Sequence, residues 1–402
     1  MRLLFISPFV PHPEILHAGG QHLYHLMRDL VPHHELHLLA YGRGESAEQL
    51  ATIRGLCASV IIITPAYTWG QKLGQLRRGW RHLHQLGRRT HLEMRDAIRH
   101  ICKVAQIEVA HLAWTEMARY LDVIPAQVGT VVNLHDIEAV VRPREITLYP
   151  LGLAKFQAMC RTRGLIRLEQ ITMQRGDHLV VCSETDRAWL SDRIDARRVS
   201  VAPVWSGLEY DSLPIEKIVP GRLVFFGAMD RIANSAAAEF LIQEVFPRVV
   251  AEHPSATLRI VGANPPPKLV RRMADHPQIT IAGYVSNIAA EWAAVDVAVL
   301  PSLIGGGQIT KIVQAMAARR PVVTTLFGNE GIGAPVGTAV ELGRDAEDFS
   351  AAVLRLLRDR SYWEAIASGG YEFVRHQFNW QTSVHTFEAA YRAALTTQRE
   401  ST

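Results

Sequence analysis

The sequence predicts an α/β protein built on two doubly wound parallel sheets, and three observations carry that expectation. Short β-branched apolar runs alternate with longer stretches of helical periodicity, the pattern of parallel strands joined by crossover helices. At 402 residues the chain is too long for one ordinary core. An irregular stretch rich in turn formers, from Pro203 through Leu213-Pro214 to Pro220-Gly221, interrupts the alternation near the middle and reads as a linker.

The first series of candidate strands is Leu3 to Ser7, Glu35 to Leu39, Val60 to Thr64, Val109 to Leu112, Thr130 to Asn133 and His178 to Val181. The second is Leu223 to Phe226, Leu258 to Val261, Ile279 to Ile281, Val295 to Leu300 and Val322 to Thr325. A helical segment from about Ala346 to Thr397 closes the chain. Each run is short enough for a strand buried on both faces and is followed by a span long enough for a helix.

Composition excludes several classes. A hydrophobic fraction of 48% with 20% charged residues belongs to a globular chain, not to a disordered or fibrous one. A net charge of +4 is too small to imply a nucleic-acid partner, and none is expected. Cys57, Cys102, Cys160 and Cys182 lie far apart with no CxxC pair, which suggests neither a zinc site nor a disulfide scaffold and fits a reducing, cytoplasmic compartment. No stretch approaches the ~18 uninterrupted apolar residues of a membrane span, so membrane contact is expected to be peripheral, at the inner face. No G-x-S-x-G, H-E-x-x-H or Walker A sequence is present.

The most informative stretch starts at Asp296 and runs through Leu300-Pro301-Ser302, then Gly305-Gly306-Gly307-Gln308-Ile309-Thr310-Lys311, to Gln314-Ala-Met-Ala317 and Arg320-Pro321-Val322-Val323. A strand, a triple glycine and a helix starting near Gln308 form a unit in which backbone N–H groups can approach an anion closely and the helix terminus adds partial positive charge. Lys311, in the first turn, can place an ammonium on the same phosphates. The alternative is a flexible turn.

Two further features admit two readings. Gly19-Gly20 precedes His22, Leu23, Leu26, Met27 and Leu30 at helical spacing, as either a ligand-approaching helix start or a simple turn. His135 stands just past a strand's C-terminal end, where open α/β sheets place ligand groups, as either a ligand contact or a structural hydrogen-bonder. Beside it, Asp136 and Glu138 are candidate bases or ordinary acids of a helix's first turn. Residues 69–100 combine an apolar stripe with Lys72, Arg77, Arg78, Arg81, Arg88, Arg89, Arg95 and Arg99, which suits an anionic membrane surface or a solvated helix packed on the sheet.

The glycine-loop segment resembles the nucleotide-binding signature of family 4 (group 1) retaining glycosyltransferases, in the branch whose loop reads GxGxxxKxxEAMA before a PVV strand. Phe225-Phe226-Gly227-Ala228-Met229-Asp230, Asn234, Glu244-Val-Phe-Pro247, Leu258-Arg-Ile-Val-Gly262 and Ile281-Ala-Gly-Tyr-Val285 match the same domain in order, from about Arg222 to Val340. The first half matches more loosely, through its opening strand, Gly19-Gly20, His135-Asp136 and Val181-Cys-Ser-Glu-Thr-Asp186.

The resemblance implies a GT-B fold: two Rossmann-like domains facing across a cleft, with an acceptor-side domain at 1–210, a nucleotide-sugar donor domain at 211–375 and a helix at 376–402 crossing back. It implies transfer of a sugar from a nucleoside-diphosphate sugar to a glycan, lipid-linked or small-molecule acceptor, with retention and without a metal or other cofactor. In that frame the donor meets Gly19, Gly20, Arg231, Asn234, Gly305, Gly306, Gly307, Gln308, Ile309, Thr310, Lys311 and Gln314. His135 contacts the transferred sugar, and hinges near 203–221 and Phe378-Asn379-Trp380 allow closure. Two departures stand out. The family's paired glutamates fall on Gly306 and Gln314, and its usual Arg after the first strand of this domain falls on Ala228, leaving Arg231 as the nearby cation. An amide grips a ribose more weakly than a carboxylate, by about 1 kcal/mol. A nucleoside-diphosphate-sugar epimerase of the same architecture, or a degenerate homologue that binds nucleotide without turnover, are the competing functions.

Overall fold

The computed structural model describes residues 1–15, 18–64, 88–204, 217–274 and 276–401. Most of the basic stretch (69–87) and of the linker (205–216) lies outside them. The contacts divide the chain into two compact units, residues 1–135 with 163–205 and 380–402, and residues 136–162 with 206–379. The segment 136–162 thus groups with the second sheet although it follows a strand of the first.

The first unit is a seven-stranded parallel sheet of β1 (Arg2–Ser7), β2 (Glu35–Tyr41), β3 (Ser59–Ile63), β4 (Val109–Ala113), β5 (Gly129–Leu134), β6 (His178–Val181) and β7 (Val199–Val201). Their spatial order is β3-β2-β1-β4-β5-β6-β7. The chain reverses its direction of growth between β1 and β4, where Phe5 pairs with His111, and that switch point is where such sheets open toward ligands. β5 is buried throughout and β1 in all but Arg2, as expected for strands covered on both faces.

The second unit is a six-stranded parallel sheet of β8 (Arg222–Phe226), β9 (Thr257–Val261), β10 (Ile279–Gly283), β11 (Val297–Leu300), β12 (Val322–Thr324) and β13 (Glu341–Leu342), in the order β10-β9-β8-β11-β12-β13. Its switch point lies between β8 and β11. The strand expected from Val295 starts two residues later, because Asp296 is occupied elsewhere: its carboxylate accepts from Gly221 N at 2.7 Å and its carbonyl from Trp363 Nε1 at 2.9 Å. Arg320 is buried at the approach to β12 and donates to the carbonyls of Trp292 and Ala293, at 2.9 and 3.0 Å.

The strands β7 and β13 have no counterpart in the sequence reading. They hold three and two residues, too few to show a period, and both sit at a sheet edge. The helical C-terminal segment comprises Ala346–Arg358, Arg360–Gln377 and Trp380–Ser401. The last packs on β5, β6 and β7, anchored by Tyr391 on His111 and Ser383 on the Pro203 carbonyl.

Candidate functional site

In the second unit the chain leaves β11 through Pro301 and Ser302, whose backbone both donates to and accepts from the Thr325 hydroxyl that follows β12. Gly305, Gly306 and Gly307 then adopt φ of +61°, +100° and +59°. Three successive left-handed residues are nearly prohibitive for any side chain but glycine. They also delay the helix, which runs Thr310–Ala317 and not from Gln308; Ile309, at φ −82° and ψ 89°, is its cap. Thr310 and Lys311 open it, and Gln314 lies one turn beyond Lys311 on the same face.

Lys311 is held from below. Its Nζ donates to Asn234 Oδ1 at 3.3 Å and lies 4.1 Å from the centre of the Phe225 ring. Asn234 points its oxygen at the ammonium because its Nδ2 is engaged by the Ala228 carbonyl at 2.9 Å. Arg231 caps the adjoining Ile232–Phe240 helix. Desolvation, reinforced by the positive field of Arg231, lowers the Lys311 pKa from 10.5 to about 7. Among the described residues neither Lys311 nor Arg231 is ion-paired. A lysine and an arginine that form no close ion pair among the described residues, beside a glycine loop and a helix N-terminus, favour an anion there, which would restore the full charge of Lys311.

The segment after β5 covers this loop. A Cβ at Gly306 would overlap Val141, on the Glu138–Thr147 helix, and one at Gly305 would overlap the Glu330 carboxylate and Arg144. Arg144 pairs with Glu330 at 2.5 and 3.1 Å, reaches the Ile304 carbonyl at 3.3 Å and lies 4.9 Å from the centre of the Phe327 ring. Glu138 and Glu145 both hold Arg142, at 2.6 and 2.7 Å, which occupies Glu138 as a base. Burial raises the Asp136 pKa against the opposing pull of Arg142 and Arg231.

The first unit assembles its own cluster. His135, just past β5, stacks on Trp114 with centroids 4.2 Å apart, meets the His22 ring edge-on at 5.7 Å, and has its Nδ1 3.9 Å from Cys182 Sγ. Gly19 and Gly20 fall inside the first turn of the Ala18–Leu30 helix, and a Cβ at Gly19 would lie 2.5 Å from the Trp114 ring. Trp114 itself takes φ +73°, unusual for a bulky residue. Burial, then their histidine neighbours, holds His22 and His111 down to about 3, so both stay neutral across the physiological range. Sequence reasoning missed Trp114, Val141, Arg144 and Glu330. Trp114 immediately follows the apolar β4 run, but nothing in the composition marks its left-handed backbone.

Among the described residues no three His, Cys, Asp or Glu side chains gather as a metal site, and no helix is long and apolar enough to cross a membrane.

Residues 220–359 match the model of the family described as glycosyl transferases group 1. No curated protein matches the chain by sequence. Among solved structures, sucrose-phosphate synthase from Thermosynechococcus elongatus is similar at 15% identity and a TM-score of 0.71, covering 99% of this chain and 100% of that one. HepE of Anabaena, solved with UDP and glucose, is similar at 14% and 0.63, covering 96% and 98%. WaaG, a glycosyltransferase involved in lipopolysaccharide biosynthesis, stands at 12% and 0.66, covering 96% and 98%. Residues 220–359 are thus a group 1 glycosyl transferase domain, the two parallel-sheet Rossmann-like units share the GT-B fold of these structures, and the chain is a glycosyltransferase that uses a nucleotide-sugar donor.

Proposed function

We propose that the chain binds the diphosphate of its donor at the Gly305–Gly307 loop, with Lys311 and Arg231 as counter-charges, and transfers the sugar with retention of anomeric configuration. The observation that carries the reading is Lys311 and Arg231, neither in a close ion pair among the described residues, beside three left-handed glycines at a helix start. A leaving diphosphate is stabilised there by preorganised N–H dipoles and the ammonium, so the residues present can neutralise its charge without a metal. Gln308, Ile309 and Thr310 supply the adjoining backbone N–H groups, Asn234 positions Lys311, and Gln314 takes the ribose hydroxyls. His135, braced by Trp114, meets the transferred sugar, and Gly19 and Gly20 lie along the same rim of the first sheet.

HepE was solved with UDP, and WaaG works in lipopolysaccharide assembly. Those likenesses make uridine the first base to test and a glycan or lipid-linked molecule the acceptor class. The candidate contact on the membrane side is the 69–100 stretch, of which 88–100 falls in the Arg88–Val104 helix and the rest lies outside the described residues.

The test is a thermal-shift series with UDP, GDP, ADP, CMP and dTDP and their sugars, followed by transfer assays with the sugar that stabilises most. The expected result is one diphosphate sugar that raises Tm and yields a product whose anomeric centre, by NMR, matches the donor's. Stabilisation by nucleosides equal to that by their diphosphates would remove the phosphate assignment, and an inverted product would remove retention.

A further inference from the structure

The glycine loop of the second unit is seated against a carboxylate. Thr325, just past β12, ties two loops together: its hydroxyl donates to the Ser302 carbonyl at 2.5 Å and accepts from the N–H groups of Ser302 and Gly328, at 3.2 and 3.1 Å. Asn329 closes the turn that follows, with Nδ2 donating to the Ala334 carbonyl at 2.9 Å and Oδ1 accepting from Ala334 N at 3.0 Å. Glu330 and Gly331 are thereby laid along the glycines. A Cβ at Gly331 would overlap the Gly307 carbonyl, and one at Gly305 would overlap a Glu330 carboxylate oxygen. At Gly305 the φ of +61° and that oxygen each exclude a side chain, so the space a side chain would fill is held by a charged acceptor.

Arg144, of the same unit, orients that acceptor. Its Nη1 donates to Glu330 Oε2 at 2.5 Å and its Nη2 to Oε1 at 3.1 Å, a two-pronged pair that fixes the carboxylate plane. The side chains of Arg144 and Glu330 are 32% and 27% exposed, so the pair is open to a ligand and adds little to stability by itself. A carboxylate accepts about four hydrogen bonds, and Arg144 takes one on each oxygen. The diphosphate of a donor has the same sign of charge and is not what Glu330 would hold. Hydroxyl groups are, through short charge-assisted bonds, and in a nucleotide sugar both the ribose and the transferred sugar carry them. Order along the chain separates the two. Glu330 lies at Gly305, where the loop begins; Lys311 follows its end, and Gln314 lies one turn further on. Sugar, diphosphate and ribose succeed one another in the donor in that order, so the hydroxyls at the Gly305 end are those of the sugar.

We propose, resting on the diphosphate assignment made above, that Glu330 binds hydroxyl groups of the transferred sugar and so selects it, with Arg144 as the positioning residue that orients the carboxylate and offsets its charge. A site built to hydrogen-bond a hydroxyl rejects the analogue that lacks it, because the acceptor is then left without its donor. Sugars deoxygenated at the carbon facing Glu330 are therefore poor donors.

The experiment is isothermal titration of the full chain with two ligands: whichever of UDP-glucose, GDP-mannose, ADP-glucose and dTDP-glucose gives the largest thermal shift, and its diphosphate alone. Glu330→Gln should weaken the diphosphate sugar by about tenfold or more, the worth of charge-assisted bonds to a hydroxyl. The diphosphate alone should bind as well or better, because Arg144 loses its counter-charge. Donors deoxygenated at successive sugar carbons should lose affinity for the wild type at one or two positions and show no such loss with Glu330→Gln. Arg144→Gln should also weaken the diphosphate sugar, and Arg144→Lys, which keeps the charge without the fork, should recover part of that loss. Glu330→Gln with Arg144→Gln leaves no unpaired charge; it should keep its Tm and still lose the advantage that the sugar confers. Unchanged affinity of Glu330→Gln for the diphosphate sugar would overturn the proposal and leave the diphosphate assignment standing. Equal losses of both ligands, or a lowered Tm in both the single and the double variant with no difference between ligands, would make the pair a brace for the loop and overturn it too. A wild type that binds no diphosphate would strike the donor assignment, and the role of Glu330 with it.

Discussion

The ammonium of Lys311 lies 4.1 Å from the centre of the Phe225 ring. The ring face replaces only part of the water it displaces, so the pKa still falls from 10.5 to about 7. A diphosphate placed on this ammonium would raise it again. Below pH 7 the lysine is protonated before and after binding, and affinity is at its plateau. Above pH 7 binding must take up a proton, so affinity for a diphosphate sugar should fall by up to about tenfold per pH unit until the bound-state pKa is passed. Calorimetry at pH 8 in buffers of different ionisation enthalpy should register that proton uptake. The empty fold responds in the opposite sense: a base whose folded pKa is depressed loses stability as pH falls from 10.5 toward 7. Affinity independent of pH, with no proton taken up, would remove Lys311 from the phosphates.

Replacing Lys311 by alanine should weaken nucleoside diphosphate binding by about 10- to 100-fold, the worth of a charge-assisted contact in a desolvated site. Binding of the parent nucleoside should change little. Isothermal titration with both ligands separates the two, and equal losses would show that the side chain serves the fold or the base instead.

Gly306 can carry no side chain for two separate reasons. Its φ is +100°, and a Cβ would overlap Val141. Gly306→Ala should therefore destabilise by about 1–3 kcal/mol and displace the loop, weakening donor binding. Adding Val141→Ala removes the overlap but not the strained backbone, so it should restore part of the loss and never all of it. Full recovery in the thermal melts would mean that the backbone conformation costs little.

The Tyr391 hydroxyl lies 2.8 Å from His111 Nδ1 and ties the C-terminal helix to the first sheet. Tyr391→Phe leaves a buried ring nitrogen without that partner and should cost about 1–2 kcal/mol of stability. The Lys311 site is built from other residues, so donor affinity below the melting transition should be unchanged. A fall in affinity would show that this helix influences the donor site.

The fold was readable where strands are long and doubly buried. β1 and β8 hold continuous apolar runs and β5 a buried β-branched centre, and no helix competes for such short segments. β7 and β13 were not, since two or three residues at a sheet edge leave no period to detect. Gly305 to Lys311 stood out because a strand, three glycines and a lysine in a helix's first turn occur in sequence order. The covering of that loop by Val141 and Arg144 was invisible: those residues lie more than 160 positions before it and are ordinary members of an amphipathic helix. The Lys311 pKa is likewise a property of its surroundings, Phe225, Asn234 and Arg231, none of which is adjacent in the chain.

Gln314 follows Lys311 by three residues and so shares its face of the Thr310–Ala317 helix. If that face meets the nucleotide, Gln314 stands one turn further from the diphosphate, at the distance of a ribose. An amide there can donate and accept, but each bond to a hydroxyl is weaker than one to a carboxylate. Gln314→Glu should then tighten binding of diphosphate and nucleoside alike, by about fivefold, because the ribose is common to both. The added negative charge also lies close to Lys311 and should raise its pKa, moving the onset of the alkaline fall in affinity to higher pH. Gln314→Leu, similar in volume but unable to hydrogen-bond, should weaken both ligands together. A loss of diphosphate affinity in Gln314→Glu with nucleoside affinity intact would place residue 314 beside the phosphates and take the ribose role from it.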